Sequence, residues 1–232
     1  MENSGWLTRQ SDLFNTVIQC GAVLAVLFIF SNRIKSLFTD RKSRETRTYT
    51  AKLALAFLIT GTGGLALKKL GLVLPKDPRP VAIATLVGGI LILIIERALR
   101  GRKSLGHLSW TIAIAVGFAQ LIAGAFPGTS RSGATILVAI AFGVSRPAAT
   151  EFSFLVGIPT LLAAGALELV KAFRAGAPTE QWAFVLLGTL VSAVSAFIVV
   201  RWLLRYVQSH TFTPFGWYRI ALGALILILA RA

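Results

Sequence analysis

Residues 13–30, 53–67, 81–95, 108–126, 152–167 and 182–200 contain no Asp, Glu, Lys or Arg. A helix that spans a bilayer needs roughly 20 mostly apolar residues, with about 17 as the lower limit. Several of these runs reach that length; the shorter ones borrow flanking residues or tilt. In lipid every backbone N–H and C=O must be satisfied within the segment, so the runs predict helices. The expected fold is therefore an all-α integral membrane protein, a multi-helix bundle forming one transmembrane domain over residues 1–232.

Composition agrees with this reading. Apolar residues make up 55% of the chain, charged residues 14%, and the mean hydropathy is +0.74. Soluble domains carry about a quarter charged residues. The formal net charge of +15 lies in the connections between apolar runs. That distribution fits lipid headgroups and the positive-inside rule. No RNA- or DNA-reading motif accompanies it, so no nucleic-acid partner is expected. Cys20 is the only cysteine, which rules out an intrachain disulfide, and no CxxC or His/Cys metal spacing is present.

The connections set the orientation. Residues 31–52 contain Arg33, Lys35, Arg41, Lys42, Arg44, Arg47 and Lys52 against Asp40 and Glu45. Residues 97–107 contain Arg97, Arg100, Arg102 and Lys103 with no acid. These two most basic connections lie an even number of spans apart, so both are expected on the cytoplasmic side. The N-terminus and residues 68–80 then face outward. Trp6, Trp110, Trp182, Trp202 and Trp217 lie near run ends and read as interface anchors.

The run at 108–126 leads into Pro127-Gly128-Thr129-Ser130-Arg131-Ser132-Gly133 and a second apolar piece at 134–144. As a helix that piece is only about 17 Å long, too short for a hydrocarbon core of about 30 Å. A broken or re-entrant helix pair follows, with a polar loop at membrane depth, where such backbone must be enclosed by protein or line a wet cavity. The chain also carries a weak internal repeat: Phe14, Leu24 and Ala25 match Phe152, Leu162 and Ala163, and residues 89–94 match 223–228, about 136 residues apart. An inverted repeat is expected from this, and the same offset puts the partner of the polar loop before Met1.

The loop has the chemistry of an anion site. An arginine at membrane depth marks a pathway or a site. Gly128 and Gly133 let the backbone approach a ligand, and Gly133 is expected to open a helix whose free N–H groups favour an anion. Ser130, Ser132 and Thr135 add hydroxyls, and Arg131 adds a guanidinium fork. Ser130 or Ser132 could attack a phosphoryl group given an activating base, yet the loop contains no His or carboxylate. The bland alternative is a kinked helix whose arginine snorkels to the interface.

The segment PGTSRSGAT resembles the second signature motif of bacterial undecaprenyl-diphosphate phosphatases, the bacitracin-resistance type. Its flanks agree: Gly117 and Gln120 before it, then Gly143-Val144-Ser145-Arg146 and residues 148–158 (AATEFSFLVGI) after it. Residues 14–25 (FNTVIQCGAVLA) and 213–220 (TPFGWYRI) are similar to other stretches of the same family. The resemblance implies removal of the terminal phosphate of undecaprenyl diphosphate to give the lipid carrier of cell-wall synthesis. It also implies a multi-pass protein of the bacterial inner membrane, an inverted-repeat bundle with two re-entrant hairpins, and a divalent cation, Mg²⁺ or Ca²⁺, whose ligands this chain does not reveal. Its partners would be a polyprenyl diphosphate lipid and the membrane, with a homodimer as a further expectation. Carried over by residue, Ser130 is nucleophile or phosphate ligand and Arg131 is the phosphate clamp. Gly128, Thr129, Ser132, Gly133, Thr135 and Gln120 line the substrate.

One part of the pattern is missing. The family's glutamate-rich first motif, with its Ser-Ser-Thr-Gly-His stretch, should precede Phe14, and MENSGWLTRQSD contains nothing like it. A shortened or degenerate member is expected, without that motif's acids, histidine and cation site. The loss should remove on the order of several kcal/mol of transition-state stabilisation. A lipid-phosphate binder or transporter, or an inactive fragment, is the competing expectation, since a cradle without a base binds but does not hydrolyse. Glu151 is a candidate replacement acid. Glu96 and Glu168 read as interfacial, His107 and His210 as loop residues, and Arg219 as a second phosphate contact or an anchor.

Overall fold

A computed structural model of the chain describes residues 12–70, 78–102, 104, 107–174 and 182–230. Residues 1–11, Trp6 among them, on which the reading of a shortened N-terminus falls, and residues 71–77 of the connection expected to face outward lie outside the described residues, as does the side chain of Glu168. Along the described chain run α1 (Asp12–Ile29), α2 (Ser31–Thr39), α3 (Arg44–Lys69), α4 (Pro78–Ala98), α5 (Trp110–Ala125), α6 (Arg131–Ala141), α7 (Arg146–Arg174), α8 (Trp182–Ser209) and α9 (Thr213–Leu229).

Among the described residues four helical stretches are long and apolar enough to cross a membrane: Arg44–Leu67, Pro78–Ala98, Arg146–Lys171 and Trp182–Ser209. A fifth arises if Val17–Ile29 and Ser31–Thr39, bent by 66° at their junction, form one span. Large apolar side chains cover the surface: Phe28, Leu186, Ile228 and Leu229 are each more than 60% exposed. In water such a surface would aggregate; in lipid it is the solvated face. The chain is a multi-pass membrane protein. As the sequence predicts, α5 and α6 are two short apolar helices that pack against each other, joined by a brief turn. At 16 and 11 residues they extend about 24 Å and 17 Å.

The contacts form two compact units, Met1–Thr39 with Gly157–Leu203, and Asp40–Val156 with Leu204–Ala232. In the first, α1 crosses the N-terminal part of α8 at Gly21, where any Cβ would strike the Thr189 carbonyl. Phe28 and Phe197 meet edge to face at 5.8 Å. The half-buried Cys20 lies against Gly165, the small packing residue that its apolar surroundings predict.

In the second unit α4 packs on α9 and α3 on α5. Small residues line both seams, the means by which helices without a hydrophobic drive between them still associate closely. A Cβ on Gly223 would come within 2.8 Å of the Ala82 carbonyl, and one on Gly89 within 2.7 Å of the Gly216 carbonyl. On the other seam Gly117 lies under Ala56 and Ile59, and the Thr60 hydroxyl, which donates to the Ala56 carbonyl at 2.9 Å, lies 3.3 Å from the Gly117 carbonyl.

A buried carboxylate closes one end of this unit. Glu96, 5% exposed near the C-terminus of α4, accepts both Nε and Nη2 of Arg146 and the backbone N–H of Phe212 at 2.8 Å. Its place near a helix end suggests an interfacial side chain, but the structure encloses it. The enclosure works because one carboxylate has four lone-pair directions and three are filled. The pair ties the start of α7, the start of α9 and the end of α4 together.

Candidate functional site

The turn between α5 and α6 holds the motif residues. The last turn of α5 closes on Phe126, whose N–H donates to the Ile122 carbonyl, and Thr129 N–H donates to the Phe126 carbonyl at 3.2 Å. Gly128 sits at φ +90° with Val81 of α4 against its Cα, so a side chain there would clash with the Val81 backbone as well as strain its own. Glycine is the residue that both conditions demand. Ser130 is the one non-glycine residue with positive φ among the described residues, at φ 65° and ψ 104°. Such a conformation costs on the order of 1–3 kcal/mol, and strain of this kind gathers at ligand clamps.

Ser130 is the N-cap of α6. Its Oγ accepts the Gly133 N–H at 3.3 Å, and its carbonyl accepts the Ala134 N–H at 2.9 Å. The helix therefore opens at Arg131, two residues before the glycine expected to start it, because the serine cap and not the glycine sets its first turn. Of the N–H groups left over at a helix start, those of Arg131 and Ser132 have no protein acceptor among the described residues, nor has the Ser130 N–H. The Arg131 guanidinium, on a half-buried residue, makes no hydrogen bond or ion pair with a described residue. The exposed Ser130 and Ser132 flank it in sequence. A cation, two hydroxyls and three N–H groups in one short turn form a donor set for a tetrahedral oxyanion. The same set does not suit a divalent cation, and among the described residues no three His, Cys, Asp or Glu gather into a metal site.

Thr135 is placed differently from the sequence expectation of a ligand donor. It is 1% exposed, and its hydroxyl donates back to the carbonyls of Arg131 and Ser132 at 3.1 and 3.0 Å. A hydroxyl has one proton, and a buried threonine one turn into a helix satisfies it locally. Gln120 is also enclosed, at 2% exposure on α5. Glu151 lies six residues into α7, not at a helix start, and accepts the Tyr49 hydroxyl at 3.3 Å. His210 is exposed and stacks on Tyr206 at 4.4 Å.

Arg219 of α9, which the sequence leaves as a second phosphate contact or an anchor, reaches the motif turn. Its Nη2 donates to the Gly128 carbonyl at 2.8 Å and to the Thr129 carbonyl at 3.3 Å, and reaches the Ala84 carbonyl at 3.5 Å. The Thr85 hydroxyl of α4, whose proton goes to the Val81 carbonyl at 2.8 Å, lies 3.3 Å from the Gly128 carbonyl. The motif turn is thus gripped from behind by α4 and α9. No local sequence signal could have revealed this, since the partners stand about 90 positions apart.

Comparison with known proteins points the same way. A family profile described as bacitracin resistance protein BacA matches residues 2–225. The chain is 49% identical over 229 residues to the undecaprenyl-diphosphatase of Rhizobium etli (strain CIAT 652), covering 98% of this chain and 86% of that protein. It is 46% identical to the undecaprenyl-diphosphatase of Xylella fastidiosa (strain 9a5c), over 96% of this chain and 86% of the relative. Against the protein of the same name from Xanthomonas oryzae pv. oryzae (strain PXO99A) the identity is 44%, over 96% and 85%.

Proposed function

This chain belongs to the bacitracin resistance protein BacA family, and from that premise we propose that it hydrolyses undecaprenyl diphosphate to undecaprenyl phosphate and inorganic phosphate. The observation that carries the proposal is the Arg131 guanidinium, without a protein partner among the described residues, beside the open N–H groups of Ser130, Arg131 and Ser132. In this reading the terminal phosphoryl group sits on those donors, which gain strength as its charge redistributes in the transition state. Water supplies the new P–O bond, the bridging P–O bond breaks, and its electron pair leaves on the lipid monophosphate. Ser130 fits the role of phosphate ligand better than that of nucleophile. Its Oγ accepts the Gly133 N–H, leaving its own proton free to donate, and residues 127–135 contain no His or carboxylate that could deprotonate it.

We place the enzyme in the bacterial inner membrane, where its substrate class is used, with the basic connections at 31–52 and 97–107 on the cytoplasmic side. The resemblance also implies Mg²⁺ or Ca²⁺, for which residues 127–135 offer no ligand set. The test is phosphate release from undecaprenyl diphosphate by the purified chain in detergent with Mg²⁺, beside Arg131→Ala. Removing one preorganised donor of this kind lowers turnover by about 10²–10³-fold. A variant as active as the parent would overturn the assignment of the loop. Lipid diphosphate binding without turnover in the parent chain would favour a binding protein.

A further inference from the structure

We propose that Arg219 is a positioning residue for this reaction, acting through the backbone of the motif turn and not through contact with the substrate. The inference rests on reading residues 128–132 as the phosphate loop. No peptide bond in the described chain is cis, and in a trans peptide the C=O and the next N–H point in opposite directions. Arg219 Nη2 draws the Thr129 carbonyl toward α9. The Ser130 N–H, on the same peptide plane, is therefore turned to the opposite side, the side on which a ligand would have to sit. The Gly128 carbonyl, held by Arg219 Nη2 at 2.8 Å, turns the Thr129 N–H the same way, back onto the Phe126 carbonyl.

A charged donor makes bonds roughly twice as strong as a neutral one. It also opposes the strain of Ser130 at φ 65°, a conformation that persists only when its surroundings over-determine it. The side chain is committed to this task by its placement. It lies over Gly88, where a Cβ would come within 2.6 Å of Nη2, and its Nε is buried with no hydrogen-bond partner among the described residues. Keeping a buried N–H unpaired is a penalty. A side chain serving only as an interfacial anchor would turn that group to water, whereas here Nη2 is engaged by the loop carbonyls.

The experiment compares the parent chain, Arg219→Lys, Arg219→Gln and Arg131→Ala for phosphate release from undecaprenyl diphosphate. Melting temperature and backbone hydrogen exchange over residues 126–133 are measured alongside. Arg219→Gln should lower kcat by about 10- to 100-fold with KM within about threefold, the split of an interaction realised in the transition state. Arg219→Lys, which keeps a charged donor, should recover part of that loss, and exchange over 126–133 should rise in Arg219→Gln alone of the two. A folded Arg219→Gln with unchanged kcat overturns the inference, as does a rise confined to KM, which would make Arg219 a headgroup contact. Should Arg219→Gln not fold, Arg219→Lys takes its place with an expected loss of about threefold in kcat, and no loss overturns the inference. If the parent chain releases no phosphate, the hydrolysis reading fails separately. Hydrogen exchange then decides: unchanged exchange in Arg219→Gln refutes the grip on the loop.

Discussion

At the scale of single residues, Ser130 joins two demands that do not agree. A helix N-cap favours serine in extended backbone, yet Ser130 stands at φ 65°, where glycine is at ease. Ser130→Gly separates the two. Relief of the strain, on the order of 1 kcal/mol or more, should exceed the few tenths lost from the cap. The melting temperature in detergent should therefore hold or rise. If the turn binds phosphate as proposed, hydrolysis should fall, since the Ser130 hydroxyl is gone. A variant that loses stability and keeps its turnover would show that the serine serves the fold. Gly128 makes the opposite case, because backbone and neighbour there agree on glycine.

At the scale of elements, the ends of α4, α7 and α9 depend on one carboxylate. Glu96 accepts two guanidinium nitrogens of Arg146 and the Phe212 N–H while only 5% exposed. Breaking a fully buried pair costs about 3–5 kcal/mol. The Arg146 side chain retains 30% exposure, so water can take up part of its charge, and Glu96→Gln should cost about 2 kcal/mol. Thermal unfolding in detergent would measure it, and a shift within error would mean that the pair is no stronger than an exposed one. Turnover is expected to fall with stability, since α9 carries Arg219 and α7 continues from α6. The seam between α4 and α9, lined by Gly89, Gly216 and Gly223, leaves those helices little room to adjust.

For the whole molecule, the distribution of charge makes a prediction that crosses the bilayer. With Cys20 replaced by alanine, Lys42→Cys and Arg102→Cys, both at exposed positions, should react with a membrane-impermeant maleimide from the same side. That side should be the interior of intact cells, opened by inverting the vesicles, because both connections are strongly basic. Labelling of the two positions from opposite sides would refute the even number of crossings between them. The sequence by itself determined residence in lipid, the helical class, the broken pair at α5 and α6, and the Ser130-Arg131-Ser132 turn, because runs of apolar residues and a contiguous motif are local properties of a chain. Only the tertiary structure decided what surrounds them. Glu96 is buried by partners 50 and 116 positions away, Arg219 grips carbonyls about 90 positions away, and the Thr135 hydroxyl turns inward under the loop. A charge near a helix end reads as interfacial until the fold places a partner against it, and no pattern along one strand of sequence encodes that meeting.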